Sequence, residues 1–286
     1  MSNRSLDDLR REIDEIDDAI HELIMKRADV VQHVAAAKGI AERNDLPIRP
    51  AREAAMLRRL AAHHRDPFPF EALARIWQEM IAAFTQIQNQ YSIAVYVDDD
   101  HQSMWDLARD QFGAQTPITA FPSTREALAQ VFEGRAGVAV LPLPTVKNMY
   151  PWWTALAVAN APKVISRLPF AGVGNVRGTP MEALAVASIP LQPTGRDRTL
   201  LVIESTDQMS HAGLEKILKA AKLNAVYTTS ADVEGWMNLV ELDEYLEADD
   251  PRLEMLEVRD SIQRTHIIGH YADVIRSQDF RKMYKK

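Results

Sequence analysis

A stripe of apolar residues runs through the first forty positions with the rhythm of one long helix, and one of its members is charged. From Leu6 it reads Leu9, Ile13, Ile16, Ile20, Leu23, Arg27, Val30, Val34 and Ala37, in steps that alternate between three and four. That spacing marks a helix packed lengthwise against other helices. Lys38 follows Arg27 by eleven positions, about 20° further round an ideal helix, so two cations share one face. A cation in an apolar seam is costly unless it meets an anion. The seam therefore asks for an anionic partner. Ser5 is the expected cap and Gly39 the expected stop, a span of about 50 Å at ~1.5 Å per residue. A lone three-helix domain cannot cover that length, which points to an intertwined helical dimer.

The 286 residues have room for two or three domains with cores of their own. A net charge of −7 argues against a nucleic-acid binder that works through a general positive field. With no cysteine, disulfides, thiolate nucleophiles and thiolate metal sites are excluded. The N-terminal stretch lacks the apolar core of a signal peptide, and no later stretch reads as a membrane span, so a soluble cytoplasmic protein is expected.

Three segments follow from the changing period. Residues 1–90 read as three helices: Ser5 to Lys38, a second opening at Pro50 with AREAAMLRRLAAHH, and a third carrying Trp77, Ile81, Phe84 and Gln88. Residues 91–197 alternate short apolar runs, SIAVYVD and AGVAVLPLP, with the helical stretches QSMWDLARDQFG and TREALAQVFEG, which predicts a small α/β domain with parallel strands. Residues 198–286 read strand, helix, strand, strand, helix, strand, from TLLVIES to THIIGHY. That order is the ferredoxin-like α+β pattern.

Polar residues on the helical faces of the first segment are Arg10, Arg27, Lys38, Arg52, Glu53 and Gln88. Arg10 precedes Arg27 by seventeen positions, about 25 Å along the axis, so the two can grip one small ligand only if they come from different chains. Taken singly, each has a plain structural explanation. Arg27 could snorkel from the seam, Lys38 could complement a helix C-terminus, and Glu53 could complement an N-terminus. The joint spacing carries the functional reading.

That spacing, with LRREIDEIDDAI, PIRPAREAAMLRRL and IWQEMIAAFTQIQ around it, resembles the all-helical class of chorismate mutase across residues 5–90. The resemblance implies rearrangement of the dianion chorismate to prephenate within one molecule, with no cofactor, metal, nucleophile or proton transfer. It further implies a homodimer in which Arg10 of one subunit and Arg27 of the other hold the substrate carboxylates. Lys38 and Gln88 would donate to the ether oxygen. Glu53 would accept from the ring hydroxyl, with Arg52 in support. Two positions depart from the family pattern: Arg49 stands where an aspartate is common, and Phe84 where a serine is common. Altered affinity is expected from both.

Residues 91–286 are similar to the part that follows this mutase in bifunctional chorismate mutase–prephenate dehydratases, ending in an ACT-like regulatory domain. The dehydratase motifs are missing. Met181-Glu182-Ala183 stands near the Thr-Arg-Phe position, and Pro142-Leu143-Pro144 replaces the Glu-Asn motif. The ACT-type motifs are altered at His211-Ala212-Gly213-Leu214 and around Thr228-Thr229-Ser230. Dehydratase activity is not expected, while an aromatic amino-acid effector or a purely structural dimer contact both stay open. Two other readings of the chain are an isochorismate pyruvate-lyase on the same helical fold and a non-catalytic amino-acid-sensing dimer. Gly172-Val173-Gly174 leads into Arg177-Gly178-Thr179-Pro180 rather than a helix, so no nucleotide site is read there. His266 and His270 fall in a predicted strand, and no metal is assigned to them.

Overall fold

The computed structural model describes residues 4–40, 45–99, 102–145, 150–172, 174 and 180–276. Val173 and the stretch from 175 to 179, within the glycine-bearing loop noted above, lie outside the described residues.

Helix α1 spans Leu6–Lys38. Ser5 starts it with a reciprocal capping box: its Oγ accepts from the Asp8 N–H at 3.1 Å, and the Asp8 carboxylate accepts from the Ser5 N–H at 3.3 Å. Gly39 ends it in the left-handed region at φ 57°, where a residue with a Cβ is disfavoured. Asp7 and Asp8 in the first turn and Lys38 in the last complement the helix dipole. Not one residue of α1 is buried. Helix α2 spans Pro50–His63, with proline in its first turn, and α3 spans Phe70–Gln88.

The chain divides into two compact units, Met1–Pro47 with Phe84–Gln90, and Ile48–Ala83 with Tyr91–Lys286. The first holds α1 and the last turn of α3. The second holds α2, most of α3 and everything after Tyr91.

Nine strands of the second unit, among the described residues, form one sheet. They are β1 (Ile93–Tyr96), β2 (Ile118–Phe121), β3 (Val138–Pro142), β4 (Lys163–Leu168), β5 (Ala183–Ala187), β6 (Asp197–Ser205), β7 (Ala225–Asp232), β8 (Trp236–Leu242) and β9 (Ile262–Ala272). Their order is β2-β1-β3-β5-β4-β9-β6-β8-β7. Helices α4 (Ser103–Phe112) and α5 (Thr124–Phe132) connect the first strands, and α6 (His211–Ala220) and α7 (Pro251–Glu257) the last.

Strands β6 to β9 with α6 and α7 realise the ferredoxin-like order. All of their internal pairings are antiparallel. Leu201, Ile203, Val240 and Leu242 on one face of these strands pack under Leu214, Leu218, Leu253 and Leu256 of the two helices.

The middle stretch is mixed rather than parallel, which corrects the expectation from its helix–strand alternation. β1 pairs β2 and β3 in parallel, but β5 runs antiparallel to both β3 and β4. β4 then joins β9 in parallel through Val164 and Gly269. A Cβ on Gly269 would stand 2.3 Å from the Val164 carbonyl oxygen, so glycine is what lets the two strands meet. Trp152 and Trp153, in a short 3-10 turn at Trp152–Leu156, are buried in the core on this side of the sheet. The Trp152 indole N–H donates to the Pro142 carbonyl at 3.1 Å.

Candidate active site

In the first unit, Arg27 is half-buried and its guanidinium lies over the buried Phe84 ring, 4.6 Å from the centroid. Gln88, one turn after Phe84, donates from Nε2 to the Phe84 carbonyl at 3.2 Å. Arg27, Phe84 and Gln88 thus form one neighbourhood. Phe84, noted in the sequence as a departure, supplies an aromatic face to Arg27 through a cation–π contact. Asn89 Nδ2 donates to the Asp45 carbonyl at 3.1 Å, which fastens the end of α3 to the chain that follows α1.

Lys38 is exposed in the last turn of α1. Arg10 is exposed as well, with Asp7 at 3.5 Å as its ion-pair partner. An unbroken α1 keeps Arg10 about 25 Å from Arg27, so one chain does not bring the two together.

In the second unit, Arg49 precedes α2 and Glu53 sits in its first turn. The Arg49 N–H donates to Glu53 Oε1 at 3.4 Å, and Arg49 Nη1 donates to the Ile48 carbonyl at 2.8 Å. Burial pushes the Glu53 carboxyl above its ordinary pKa, and the Arg49 N–H works against that. Glu53 lines a mainly apolar cavity whose other walls include Leu57, Ile81, Phe112, Ile165 and Phe170. Arg52 is exposed. Arg49, Glu53 and the cavity therefore form a second neighbourhood, in which a carboxylate is held in apolar surroundings.

Arg58, five residues after Glu53, was not among the residues singled out by sequence. Its Nη1 donates to the Thr194 carbonyl at 3.2 Å and to Thr194 Oγ1 at 2.9 Å, and its Nη2 to the carbonyls of Arg196 at 2.8 Å and Asp273 at 2.9 Å. Burial and then the neighbouring Arg196 push its pKa down, while Asp197 and Asp273 oppose them. The available signal was a cation beside the buried stripe Ala54, Leu57 and Ala61 of α2.

The residues compared above with dehydratase and ACT-type motifs make contacts within the fold. The Pro142 and Pro144 carbonyls accept from Trp152 and Tyr227, at 3.1 and 2.7 Å. Glu182 pairs with Arg167 at 2.9 Å. His211-Ala212-Gly213-Leu214 forms the first turn of α6, capped by Ser210 through the Gly213 N–H at 3.1 Å. Thr228 Oγ1 lies 2.8 Å from His211 Nδ1, so the two altered ACT-type stretches contact one another.

His266 Nε2 is 2.8 Å from Glu204, and His270 stacks on Tyr245 with ring centroids 4.2 Å apart. Among the described residues no group of histidine and acidic side chains is placed to hold a metal ion. Nor is any described helix long and apolar enough to cross a membrane.

Residues 9–89 match the family model of chorismate mutase type II. Among curated proteins, the chain is similar to the bifunctional chorismate mutase/prephenate dehydratase of Aquifex aeolicus, 29% identical over 143 residues that make up 48% of this chain and 38% of that protein. The protein of the same description from Neisseria gonorrhoeae is 28% identical over 134 residues, 47% of this chain and 36% of its own length. The matched stretch thus spans less than two fifths of either relative. Among solved structures, prephenate dehydratase from Streptococcus mutans superposes with a TM-score of 0.48 at 13% identity, covering 65% of this chain and 99% of that one. A structure described as GqqA, a quorum quenching acylase, gives a TM-score of 0.46 at 18% identity, over 63% of this chain and 94% of its own. The match to the type II chorismate mutase model thus takes in α2, α3 and most of α1, with Arg10, Arg27, Lys38, Glu53 and Gln88 inside it.

Proposed function

We propose that the chain is a dimeric chorismate mutase, converting chorismate to prephenate in the supply of phenylalanine and tyrosine, with its C-terminal region regulatory or structural. One observation carries this reading: residues 9–89 match the type II chorismate mutase model, and Arg27, Lys38, Glu53 and Gln88 all fall inside that stretch of sequence.

The chemistry suits those side chains. Chorismate carries two carboxylates, and its rearrangement breaks an ether C–O bond while making a C–C bond within the same molecule. A protein accelerates this by holding the reactive conformer and by placing positive charge where the ether oxygen gains negative charge. Arg27 and the partner's copy of Arg10 bind the carboxylates as planar forks. Lys38 and Gln88 donate to the ether oxygen, and Glu53 accepts from the ring hydroxyl. Arg49 and Arg52 add positive charge at the carboxylate side.

The dimer finds support in the exposed seam of α1. Leu6, Leu9, Ile13, Ile16, Ile20, Leu23, Val30 and Val34 are each between 41% and 66% exposed. An apolar stripe of that length calls for a second helix, and a second copy of this chain offers the same stripe.

Mixing inactive variants tests the shared site. Arg10→Ala and Arg27→Ala proteins are each expected to be nearly inactive. Unfolded and refolded together, they would recover about a quarter of parental turnover, because half the dimers are mixed and each of those holds one intact site. Recovery absent from a mixture shown to contain mixed dimers would contradict a site built from two chains.

A further inference from the structure

The geometry points to Arg58 as a positioning residue that fixes α2, and with it Glu53, against the C-terminal region. This rests on the role proposed for Glu53 above.

The acceptors that receive Arg58 are also tied to one another by contacts that do not involve it. Asp197 accepts from the Thr194 N–H at 2.8 Å, from Thr194 Oγ1 at 2.7 Å and from the Gly195 N–H at 3.0 Å. The Asp273 N–H donates to the Arg196 carbonyl at 2.9 Å, and the Asp273 carboxylate takes Arg196 at 3.1 Å and Arg198 at 3.4 Å. The acceptors are therefore held in place by bonds of their own. A guanidinium fork reaches Thr194, Arg196 and Asp273 together, whereas an ammonium offers its donors from a single atom.

Apolar packing works in the same direction. Ala54, Leu57 and Ala61 of α2 share a core with Phe170, Ala272, Val274 and Ile275. Phe170 and Ala272 also wall the cavity that Glu53 lines. Glu53 and Arg58 lie about 7.5 Å apart along one helix, so a shift of α2 at Arg58 moves Glu53 as well. The C-terminal region is thereby part of the apparatus that places a mutase side chain.

The test uses the full chain and five proteins: parent, Arg58→Ala, Arg58→Lys, Glu53→Gln, and Arg58→Ala combined with Glu53→Gln. Chorismate turnover should fall about tenfold or more in kcat/KM for Arg58→Ala, with partial recovery in Arg58→Lys. On the Glu53→Gln background the same change should cost less than about threefold, since the residue it positions is already disabled. Parental kinetics in Arg58→Ala, or an equal loss on both backgrounds, would overturn the proposal. Hydrogen exchange without substrate reads the clamp itself. Faster exchange at residues 54–61 in Arg58→Ala supports it, and unchanged exchange overturns it. A folded parent with no chorismate turnover would refute the mutase reading, and the positioning role would fall with it whatever exchange shows.

Discussion

Replacing Ile20 by aspartate should separate the dimer. Eight apolar residues of the α1 seam lie between 41% and 66% exposed. They average about half, so a partner could cover the equivalent of roughly four whole side chains per protomer, and at ~1.5–3 kcal/mol each that is about 6–12 kcal/mol. Two protomers together give about 12–24 kcal/mol, which outweighs most of the roughly 4–15 kcal/mol range that association costs, so the parent should be a dimer. Ile20, itself 50% exposed, lies near the middle of the stripe. Its loss removes about 1 kcal/mol of burial per protomer and sets a carboxylate in an apolar seam, a further penalty of about 1–3 kcal/mol. Both protomers carry the change, so the dimer weakens by about 4 kcal/mol or more, close to a thousandfold in Kd. Sedimentation equilibrium measures this directly, with circular dichroism to show that the helices persist. A variant that dimerises as tightly as the parent, or a parent that is monomeric, would refute the reasoning.

Three further outcomes are expected. Glu53 has a folded pKa above the ordinary 4.5. The native state therefore holds more protons than the unfolded chain from about 4.5 up to the folded value, and stability falls as pH rises through that window. Glu53→Gln should accordingly melt higher than the parent at neutral pH, by a margin that shrinks towards pH ~4, while losing activity. Phe84→Leu keeps the bulk but removes the ring over which Arg27 lies. Loss of about 0.5–1.4 kcal/mol of cation–π attraction should raise KM for chorismate about two- to tenfold in steady-state assays. Gly269→Ala drives a Cβ into the Val164 backbone, and urea unfolding should show a loss of about 1–3 kcal/mol or more.

Much of this could be read from particular residues. The heptad steps, Ser5 and Gly39 define α1 to the residue, because a capping box and a left-handed stop are local devices. The ferredoxin-like order was legible because each of its strands is a β-rich run bounded by turn residues. β4 and β5 were not. KVISRL mixes charge with its apolar residues, and ALAVA is mostly alanine, a poor strand signal, so only burial in the middle of the sheet makes them strands. β5 also inserts antiparallel between β3 and β4, a pairing that alternation along the chain does not reveal.

The candidate site divides in the same way. The helices that carry Arg27, Lys38, Glu53 and Gln88 follow from spacing and caps, while the roles proposed for those residues rest on the family resemblance. The setting of α2 does not, because the acceptors around Arg58 lie 136, 138 and 215 positions away in sequence. Contacts of that range depend on the completed sheet. The contact of Arg27 with Phe84 is of the same kind, since a single unusual aromatic on α3 gives no hint of which cation it will meet.

Chorismate consumption by the purified full chain, with its product identified, tests the central claim most directly. The account predicts prephenate as the product, turnover without added metal or cofactor, and near-complete loss in both Arg27→Ala and Lys38→Ala. A folded, dimeric parent that leaves chorismate untouched, or releases pyruvate instead of forming prephenate, would contradict it.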